Sequence, residues 1–290
     1  MAIGRDDGLV DIHHHLLPGL DDGPRDWGQA LELAREAVRA GIRTVVATPH
    51  VRPGQPGQPT RAAVVEMVDE LRSRLASEGI ELEVLAGAEV YPVPDLPQWL
   101  AGGSGASWDL GQGSQIRYLL LDLPFDRLPP NFDRLIFEVA LTGVTPIIAH
   151  PERNRQLAER PQLLIPLVEQ GVVLQVTAGS LVGAFGREAQ HASMWLVRRG
   201  LARVVATDAH DVVRRSPLAM REAYRYLSRH VGVAMAEHLC SRWPLEVARG
   251  EPLSAAPPMD GAAPAQARPT GVRGLARGLR AWWQRMASSF

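Results

Sequence analysis

Short apolar runs alternate with stretches of helical periodicity from residue 8 to about residue 230. The runs have the length of buried strands, and most are bordered by Gly or Pro, which favours a parallel sheet. The predicted strands are Leu9–Ile12, Thr44–Ala47, Leu82–Ala86, Tyr118–Leu121, Thr145–Ala149, Val172–Val176 and Arg203–Ala206. The predicted helices are Trp27–Ala40, Arg61–Glu78, Asn131–Leu141, Pro161–Glu169, Arg187–Arg199 and Pro217–Val231. The alternation predicts an α/β fold.

Strands separated by helices in this number favour a closed parallel barrel. An open doubly wound sheet is the alternative, because both architectures place functional side chains at the carboxyl ends of their strands. Gly41, Gly79, Gly143, Gly171 and Gly200 each follow a predicted helix, where a left-handed cap is expected.

Imidazole and carboxylate groups stand at the ends of five predicted strands. They are His13, His15, His50, Glu89, His150, Asp208 and His210. Residues two apart on a strand point the same way, so His13 and His15 can bind one ion, and Asp208 and His210 repeat the spacing. His14 then points to the opposite face and is expected to be a packed or exposed histidine. Taken together, the groups predict one metal site at the mouth of the barrel.

The donor set contains imidazole and carboxylate but no sulfur, which favours manganese, iron or zinc. It exceeds the needs of one ion, so two or three divalent ions are expected. Clustered ions promote phosphoryl or acyl hydrolysis by activating water and by stabilising charge on the attacking and leaving oxygens. Cys240 is the only cysteine, which excludes a thiolate cluster, and we expect it in the core.

The net charge of −1 argues against nucleic acid as the main partner, because phosphate binding usually needs a basic excess. A basic region followed by an apolar run is not seen at the N-terminus, so no secretory signal is expected. No stretch approaches the 18 apolar residues of a spanning helix. A cytoplasmic location is therefore expected.

The last forty residues differ from the rest in composition. Residues 251–270 are rich in Ala and Pro and predict a flexible linker after a domain of residues 1–250. Residues 271–290 predict an amphipathic helix with an apolar face and an arginine-rich face. Its apolar residues are Val272, Leu275, Leu279, Trp282, Trp283, Met286 and Phe290. Such a helix suits packing on its own domain, a partner, or peripheral contact with a membrane surface.

The ordered motifs resemble those of a known superfamily. They are Asp-Ile-His-x-His from Asp11, Asp-Asp-Gly-Pro from Asp21, Thr-Pro-His ending at His50, Gly-Ala-Glu-Val-Tyr around Glu89, His-Pro-Glu-Arg from His150 and Ala-Thr-Asp-Ala-His ending at His210. This set resembles the polymerase-and-histidinol-phosphatase (PHP) superfamily, and within it the bacterial protein-tyrosine phosphatases of capsule and exopolysaccharide operons. The resemblance covers residues 9 to 250 and implies a distorted seven-stranded barrel.

The resemblance also implies three metal positions, often filled by manganese. The first has His13, His15, Glu89 and Asp208; the second has Glu89, His150 and Asp122; the third has Asp22, His50 and His210. Asp122 stands where the family more often has Glu, and its shorter reach could weaken or shift the second ion. Asp21 competes with Asp22 for the third position.

Two arginines complete the implied site. Arg153 and Arg215 match family positions that hold the substrate phosphate, as guanidinium forks suit phosphate oxygens. Arg214 competes with Arg215. The implied reaction is direct displacement on phosphorus without a phosphocysteine intermediate, and His210 or a water protonates the leaving group. A phenol leaves more readily than an alkoxide, so activity on aryl phosphates should be highest.

The implied substrate is the phosphotyrosine tail of a membrane tyrosine kinase that regulates polysaccharide synthesis. The terminal helix would then hold the enzyme at the inner face of the membrane. A PHP phosphoesterase acting on a metabolite such as histidinol phosphate is the first alternative. A non-catalytic binding module stabilised by metal is the second.

Overall fold

The structure is a computed structural model that describes residues 8–102, 108–110 and 116–259. Its strands are β1 (Leu9–His14), β2 (Ile42–Ala47), β3 (His50–Val51), β4 (Glu83–Ala86), β5 (Glu89–Val90), β6 (Arg117–Leu121), β7 (Val144–Ala149), β8 (Val173–Thr177) and β9 (Ala202–Ala206). Its longer helices are α1 (Trp27–Ala40), α2 (Arg61–Ser77), α4 (Phe132–Leu141), α8 (Arg187–Arg198) and α9 (Leu218–His230). The shorter ones are α3 (Leu96–Ala101), α5 (Arg155–Glu159), α6 (Ile165–Glu169), α7 (Ala178–Leu181), α10 (Val233–Glu237) and α11 (Trp243–Ala248).

The strands form two parallel sheets that continue into each other. One has the order β1-β2-β4 and the other the order β3-β5-β6-β7-β8-β9. Two residues separate β2 from β3, and two separate β4 from β5, so each pair is one bent strand. The pairing crosses the bend through bonds from Gly87 N to Ala47 O (2.9 Å) and from Glu89 N to Pro49 O (3.1 Å). A Cβ at position 87 would lie 2.7 Å from Val46 Cγ1, so this bend needs glycine.

The first and last strands meet at their carboxyl ends. The amide of His15 donates to Ala209 O (2.9 Å), and the amide of Asp208 donates to His13 O (2.9 Å). With the bent strands counted once, seven parallel strands run from β1 round to β9, and these bonds join the two ends of the series at the mouth. The result is a distorted (β/α)7 barrel, as the resemblance implied, and not an open sheet.

The helices surround the barrel because each carries one apolar face. In α1, Ala30, Leu33, Ala34, Ala37 and Ala40 are buried, and the side chain of Asp26 caps its first turn by accepting from Gln29 N. The predicted left-handed caps are confirmed, with positive φ at Gly41, Gly79, Gly143, Gly171 and Gly200.

A buried carboxylate fastens β1 to the segment after β9. Asp11 Oδ1 accepts from Thr207 N (3.0 Å), and Asp11 Oδ2 accepts from the Thr207 hydroxyl. The amide of His13 also approaches Asp11 Oδ1 at 3.3 Å. Burial raises the pKa of Asp11 to about 6, against the opposing effect of its bonds to Thr207. This contact aligns the two strands that carry four of the candidate ligands.

All seven predicted strands are confirmed, with bounds shifted by one or two residues. The short strands β3 and β5 and the helices α3, α5, α7, α10 and α11 were not predicted. Pro161–Glu169 is divided into a 3₁₀ turn, Pro161–Leu164, and α6. Among the residues that the structure describes, no helix combines the length and apolar character needed to cross a membrane.

The start of the predicted linker is bonded to the barrel. Tyr118 donates its hydroxyl hydrogen to Glu251 O (2.8 Å), and Trp243 Nε1 donates to Ser254 O (3.0 Å). Leu253 is buried between these contacts. The rest of the linker from residue 260, and the predicted helix of residues 271–290, lie outside the described residues. The division into a domain, a linker and a terminal helix stays a prediction.

Replacing Asp11 by Ala should lower the free energy of unfolding by about 2–4 kcal/mol, because buried donors of Thr207 lose their acceptor. Urea unfolding of chelated protein measures this change. Asp69→Ala is the matched control, since Asp69 is exposed and its carboxylate pairs with Arg72 in α2, and such surface pairs contribute under about 1 kcal/mol. Equal stabilities for Asp11→Ala and Asp69→Ala would contradict the role given to Asp11.

Candidate metal centre

Every candidate ligand lies at the mouth of the barrel, and all but Asp22 lie on a strand or within four residues of its end; Asp22 lies in the turn between β1 and α1. Two of them, His150 and Asp208, have left-handed backbone conformations, with φ of 34° and 54°. Such angles are costly for residues other than Gly and occur where the surrounding structure enforces them. At both positions the chain leaves its strand by a sharp turn and the side chain faces the same cluster of polar groups.

The first cluster contains His13, His15, Glu89 and Asp208. His13 Nε2 lies 3.3 Å from Glu89 Oε1 and 3.2 Å from Asp208 Oδ1. His15 Nε2 lies 3.6 Å from Glu89 Oε2 and 3.4 Å from Asp208 Oδ1. All four side chains are almost fully buried. The two imidazole nitrogens and the two carboxylates thus surround one small volume.

A second cluster lies on the solvent side of the first. Asp22 Oδ1 is 3.0 Å from His210 Nε2 and 3.5 Å from His50 Nε2, and donor atoms of these three residues and His15 all lie within 4.8 Å of one another. The side chain of Asp22 is 63% exposed, so this cluster opens to solvent. Asp22 thus groups with His50 and His210, whereas Asp21 contacts the outer ring nitrogen of His15.

The third cluster shares Glu89 with the first. Glu89 Oε1 lies 3.0 Å from His150 Nε2, and His150 Nε2 lies 3.9 Å from Asp122 Oδ1. Asp122 also groups with Glu89 and His50 within 4.8 Å. Asp122 thus reaches the site although it is shorter than glutamate. Its carboxylate oxygen groups with donor atoms of Glu89 and His50, whereas the resemblance implied a position shared with Glu89 and His150.

The remaining ring nitrogen of several imidazoles is held by a neighbouring acceptor. His13 Nδ1 is 2.9 Å from Gln175 Oε1, His15 Nδ1 is 2.7 Å from Asp21 Oδ2, and His210 Nδ1 is 3.0 Å from its acceptor, the carbonyl oxygen of Asp208. These acceptors require a proton on Nδ1, which leaves the lone pair of Nε2 for the centre of the site. The same arrangement orients the rings of metal-binding histidines generally.

The electrostatics of the centre favour the binding of positive charge. Burial opposes ionisation of Glu89 and Asp208, yet nearby imidazoles, His13 first among them, hold the pKa of both carboxyls well below the usual range. In return, the carboxylates overcome the effect of burial on His13 and raise its pKa to about 9. Ionised carboxylates facing imidazole lone pairs can be balanced by protons or by metal ions.

Several buried polar atoms at the centre make no hydrogen bond of acceptable geometry, among them Glu89 Oε2, Asp208 Oδ1 and His210 Nε2. Unpaired buried oxygen and nitrogen atoms are costly unless another group satisfies them. All of these atoms belong to metal-binding side chains and lie within the clusters described above. Their chemistry and placement fit divalent cations.

Two arginines converge on one oxygen of Asp208. Arg153 Nη1 and Arg215 Nη2 both make short contacts with Asp208 Oδ2. Arg215 also lies 3.6 Å from Asp22 Oδ2, and its buried Nε has no hydrogen-bond partner. Arg214, the competing candidate, is exposed, and its backbone amide donates to Asp211. Two guanidinium groups therefore stand beside the first two clusters.

Burial decides the roles of two further residues, His14 and Cys240. His14 faces away from the centre and is fully buried, and its pKa falls to about 3 because burial and the neighbouring His15 oppose protonation. It is thus a packed, neutral histidine, as predicted. Cys240 is also buried in the core, where burial raises the pKa of its thiol, so it is no thiolate nucleophile.

Sequence reasoning missed three polar residues that support the site. Gln175 is the one polar residue within the apolar run Val172–Val176, and Asp11 is the one within Leu9–Ile12. A single polar residue in a buried strand is the signal that could have identified both. Asp21 was considered only as a ligand, whereas here it bonds His15 and accepts from Gly23 N (2.9 Å).

Comparison with known proteins identifies tyrosine-protein phosphatases as relatives of this chain. The tyrosine-protein phosphatase YwqE of Bacillus subtilis (strain 168) is 42% identical over 225 residues, which cover 77% of this chain and 85% of the relative. The tyrosine-protein phosphatase CpsB of Streptococcus pneumoniae is 26% identical over 236 residues, covering 80% of this chain and 94% of the relative.

Solved structures agree with this relationship. A crystal structure from a study of YwqE from B. subtilis and CpsB from S. pneumoniae, described as unique metal-dependent tyrosine phosphatases, matches with a TM-score of 0.77 and 37% identity, covering 89% of this chain and 100% of that one. The β-aspartyl dipeptidase of Fervidobacterium islandicum, at 15% identity and a TM-score of 0.55 over 83% of this chain and 72% of that one, shares the fold alone. The family model for capsular polysaccharide synthesis, CpsB/CapC, matches residues 9–249. The chain therefore belongs to the CpsB/CapC family.

Proposed function

We propose that the chain is a metal-dependent protein-tyrosine phosphatase. The observation that carries this proposal is the convergence of the imidazole and carboxylate clusters with Arg153 and Arg215 at the mouth of the barrel. Ions beside a pair of guanidinium groups suit the charge of a phosphate monoester better than that of an uncharged ester or amide. The named activity of the relatives supports the same reaction.

We propose three ion positions that follow the clusters. His13, His15, Glu89 and Asp208 would hold the first ion; Glu89, His150 and Asp122 the second; Asp22, His50 and His210 the third. The mixed oxygen and nitrogen donors suit manganese, iron or zinc, and the family resemblance favours manganese among them. When bound, such ions lower the pKa of coordinated water and stabilise negative charge on phosphoryl oxygens.

The protein's own groups orient the substrate. Arg153 and Arg215 approach Asp208 Oδ2 together, so a phosphate beside this carboxylate would meet both guanidinium groups. Their positive charges would stabilise the negative charge that grows during phosphoryl transfer. Arg153 is 12% exposed and Arg215 is 23% exposed, so both forks are largely shielded from water, which strengthens these interactions.

His210 fits ion binding better than proton donation. Burial lowers its pKa, and its Nε2 faces Asp22. A neutral imidazole has a lone pair for a cation but has no proton on that nitrogen to give to a leaving group. Tyrosine is a good leaving group without strong acid assistance, since the phenol has a pKa of about 10. Water then serves as the proton donor.

We propose a phosphotyrosine protein as the substrate, and more narrowly the C-terminal tail of a membrane tyrosine kinase that regulates capsule or exopolysaccharide synthesis. The family relationship to capsular polysaccharide synthesis supports this choice. We further propose that residues 271–290 hold the enzyme at the cytoplasmic face of the membrane. The segregation of Arg from Trp and Leu in this segment supports that role.

Substitution of Gln175 by Leu should weaken manganese binding about 10- to 100-fold, because His13 loses the acceptor that fixes its ring and its tautomer. Calorimetric titration of chelated protein with manganese measures the affinity. Gln162→Leu provides the control, since Gln162 is exposed in the 3₁₀ turn before α6. Unchanged affinity in Gln175→Leu would remove the supporting role assigned to this residue.

Chelation should abolish hydrolysis of a phosphotyrosine peptide, and manganese should restore it. Arg153→Ala and Arg215→Ala should each lower kcat/KM about 10²- to 10³-fold, because each removes a charged donor to the phosphate. Arg214→Ala is the matched control, being the exposed neighbour of Arg215. Phosphate release by folded, metal-loaded protein is the measurement. No release by the wild type would refute the phosphatase.

Deleting residues 271–290 should move the enzyme from the membrane fraction to the supernatant, because the apolar face and the arginines are lost together. Turnover of the peptide in solution should remain. Replacing Arg273, Arg277 and Arg280 by Glu tests the electrostatic part alone. Undiminished membrane association of the deletion variant in cell fractions would rule out the anchoring role.

A further inference from the structure

Phe125 is an exposed aromatic side chain at the mouth of the barrel. It stands three residues after Asp122, where the chain leaves β6, and it is 60% exposed. Its ring is stacked on that of His150, with centroids 6.4 Å apart and an interplanar angle of 20°. A single exposed Phe has little meaning by itself. This one lies directly beside a candidate ligand and faces solvent.

Phe125 and Phe185 both contact the guanidinium group of Arg153. The guanidinium carbon of Arg153 lies 5.1 Å from the Phe125 ring centroid and 4.4 Å from that of Phe185. Both distances are within the range of cation–π interaction. Because Arg153 also contacts Asp208, the Phe125 ring is one side chain removed from the place where the phosphate would bind.

The backbone around Phe125 is fixed by three hydrogen bonds. The amide of Arg155 donates to Phe125 O (2.7 Å), Asn154 Nδ2 donates to Pro124 O (2.6 Å), and the amide of Gln156 donates to Asp126 O (3.2 Å). All three donors follow Arg153 directly in the chain. These bonds tie the backbone of Phe125 to the segment that follows Arg153, and the ring itself contacts His150 and Arg153.

The two phenylalanines differ in their surroundings. Phe185 is half-buried against Gly179, where an added Cβ would lie 2.8 Å from Phe185 Cε2. Its ring thus packs against the segment at Gly179 and contacts Arg153. Phe125 contacts the same guanidinium but keeps most of its surface free, so it has a face or edge to offer to another aromatic ring.

We propose that Phe125 is the specificity residue that binds the phenyl ring of phosphotyrosine. This inference rests on the proposed function. One ester oxygen joins phosphorus to the substrate ring, so a phosphate bound between Arg153 and Arg215 places that ring at the surface beside Phe125. Aromatic rings attract each other in offset or edge-to-face arrangements, and each excludes water from the other. The shorter, aliphatic side chain of phosphoserine has no ring for this contact.

The test separates ring recognition from the positioning of Arg153. Phenylphosphonate and methylphosphonate differ only in the ring, so the ratio of their affinities for manganese-loaded enzyme isolates its contribution. In Phe125→Leu this ratio should fall about three- to tenfold, the factor expected for a lost aromatic pair. Phe125→Tyr should keep the wild-type ratio. Phe185→Leu is the matched control and should weaken both ligands equally, since it supports only Arg153.

Each result of the calorimetric comparison has a clear meaning. An unchanged affinity ratio in Phe125→Leu would overturn the proposal. If both phosphonates bind equally more weakly, Phe125 only supports Arg153; if neither affinity changes, Phe125 has no role in binding. Turnover of the phosphotyrosine peptide by the wild type is measured in parallel. Absent turnover with a lost phenyl preference would refute the phosphatase and keep ring recognition, whereas normal turnover with an unchanged ratio would do the reverse.

Discussion

The mouth of this barrel is organised around buried negative charge that must be balanced. Glu89 and Asp208 are almost fully buried, and both lie within 3.3 Å of His13 Nε2. Removing a carboxylate from water costs roughly several kcal/mol unless a partner replaces the lost interactions with water. Here the partners are imidazoles on one side and Arg153 and Arg215 on the other. The arrangement is able to bind cations, and Arg153 and Arg215 form a positive edge beside it.

The barrel satisfies this constraint by bringing ligands from distant parts of the chain to one rim. Parallel strands all end at the same side, so a short turn after each strand suffices to aim a side chain inward. Bonds between the His13–His15 segment and the Asp208–Ala209 segment fix the seam where the first and last strands meet. Asp11, Asp21 and Gln175 then hold the ligand-bearing backbone and rings. The same few polar contacts therefore hold the strands together and orient the candidate ligands.

Much of this could be predicted from sequence because strand ends are marked by both pattern and chemistry. Apolar runs that end in His or a carboxylate located the strands and identified most of the candidate ligands, and the two-residue spacing of His13 and His15 indicated that both side chains face the same way. The bends that separate β3 and β5 from their parent strands could not be predicted, since they depend on close packing around Gly87.

The choice between Asp21 and Asp22 could not be made either, because adjacent residues of a turn can point in either direction. Only the folded chain shows Asp21 on His15 Nδ1 and Asp22 between His50 and His210. No sequence pattern pointed to Phe125, because its proposed role depends on its closeness to Arg153 in the folded chain. The predicted terminal helix lies beyond the described residues, so its role is still argued from amphipathic pattern alone.

Metal binding by the three clusters can be tested by locating the ions themselves. Anomalous scattering from crystals of manganese-loaded protein, collected on both sides of the manganese absorption edge, would show each ion independently of any activity. We expect one anomalous peak among His13, His15, Glu89 and Asp208, with further peaks beside Asp122 and beside Asp22. Fully loaded crystals with no anomalous peak among these side chains would contradict it.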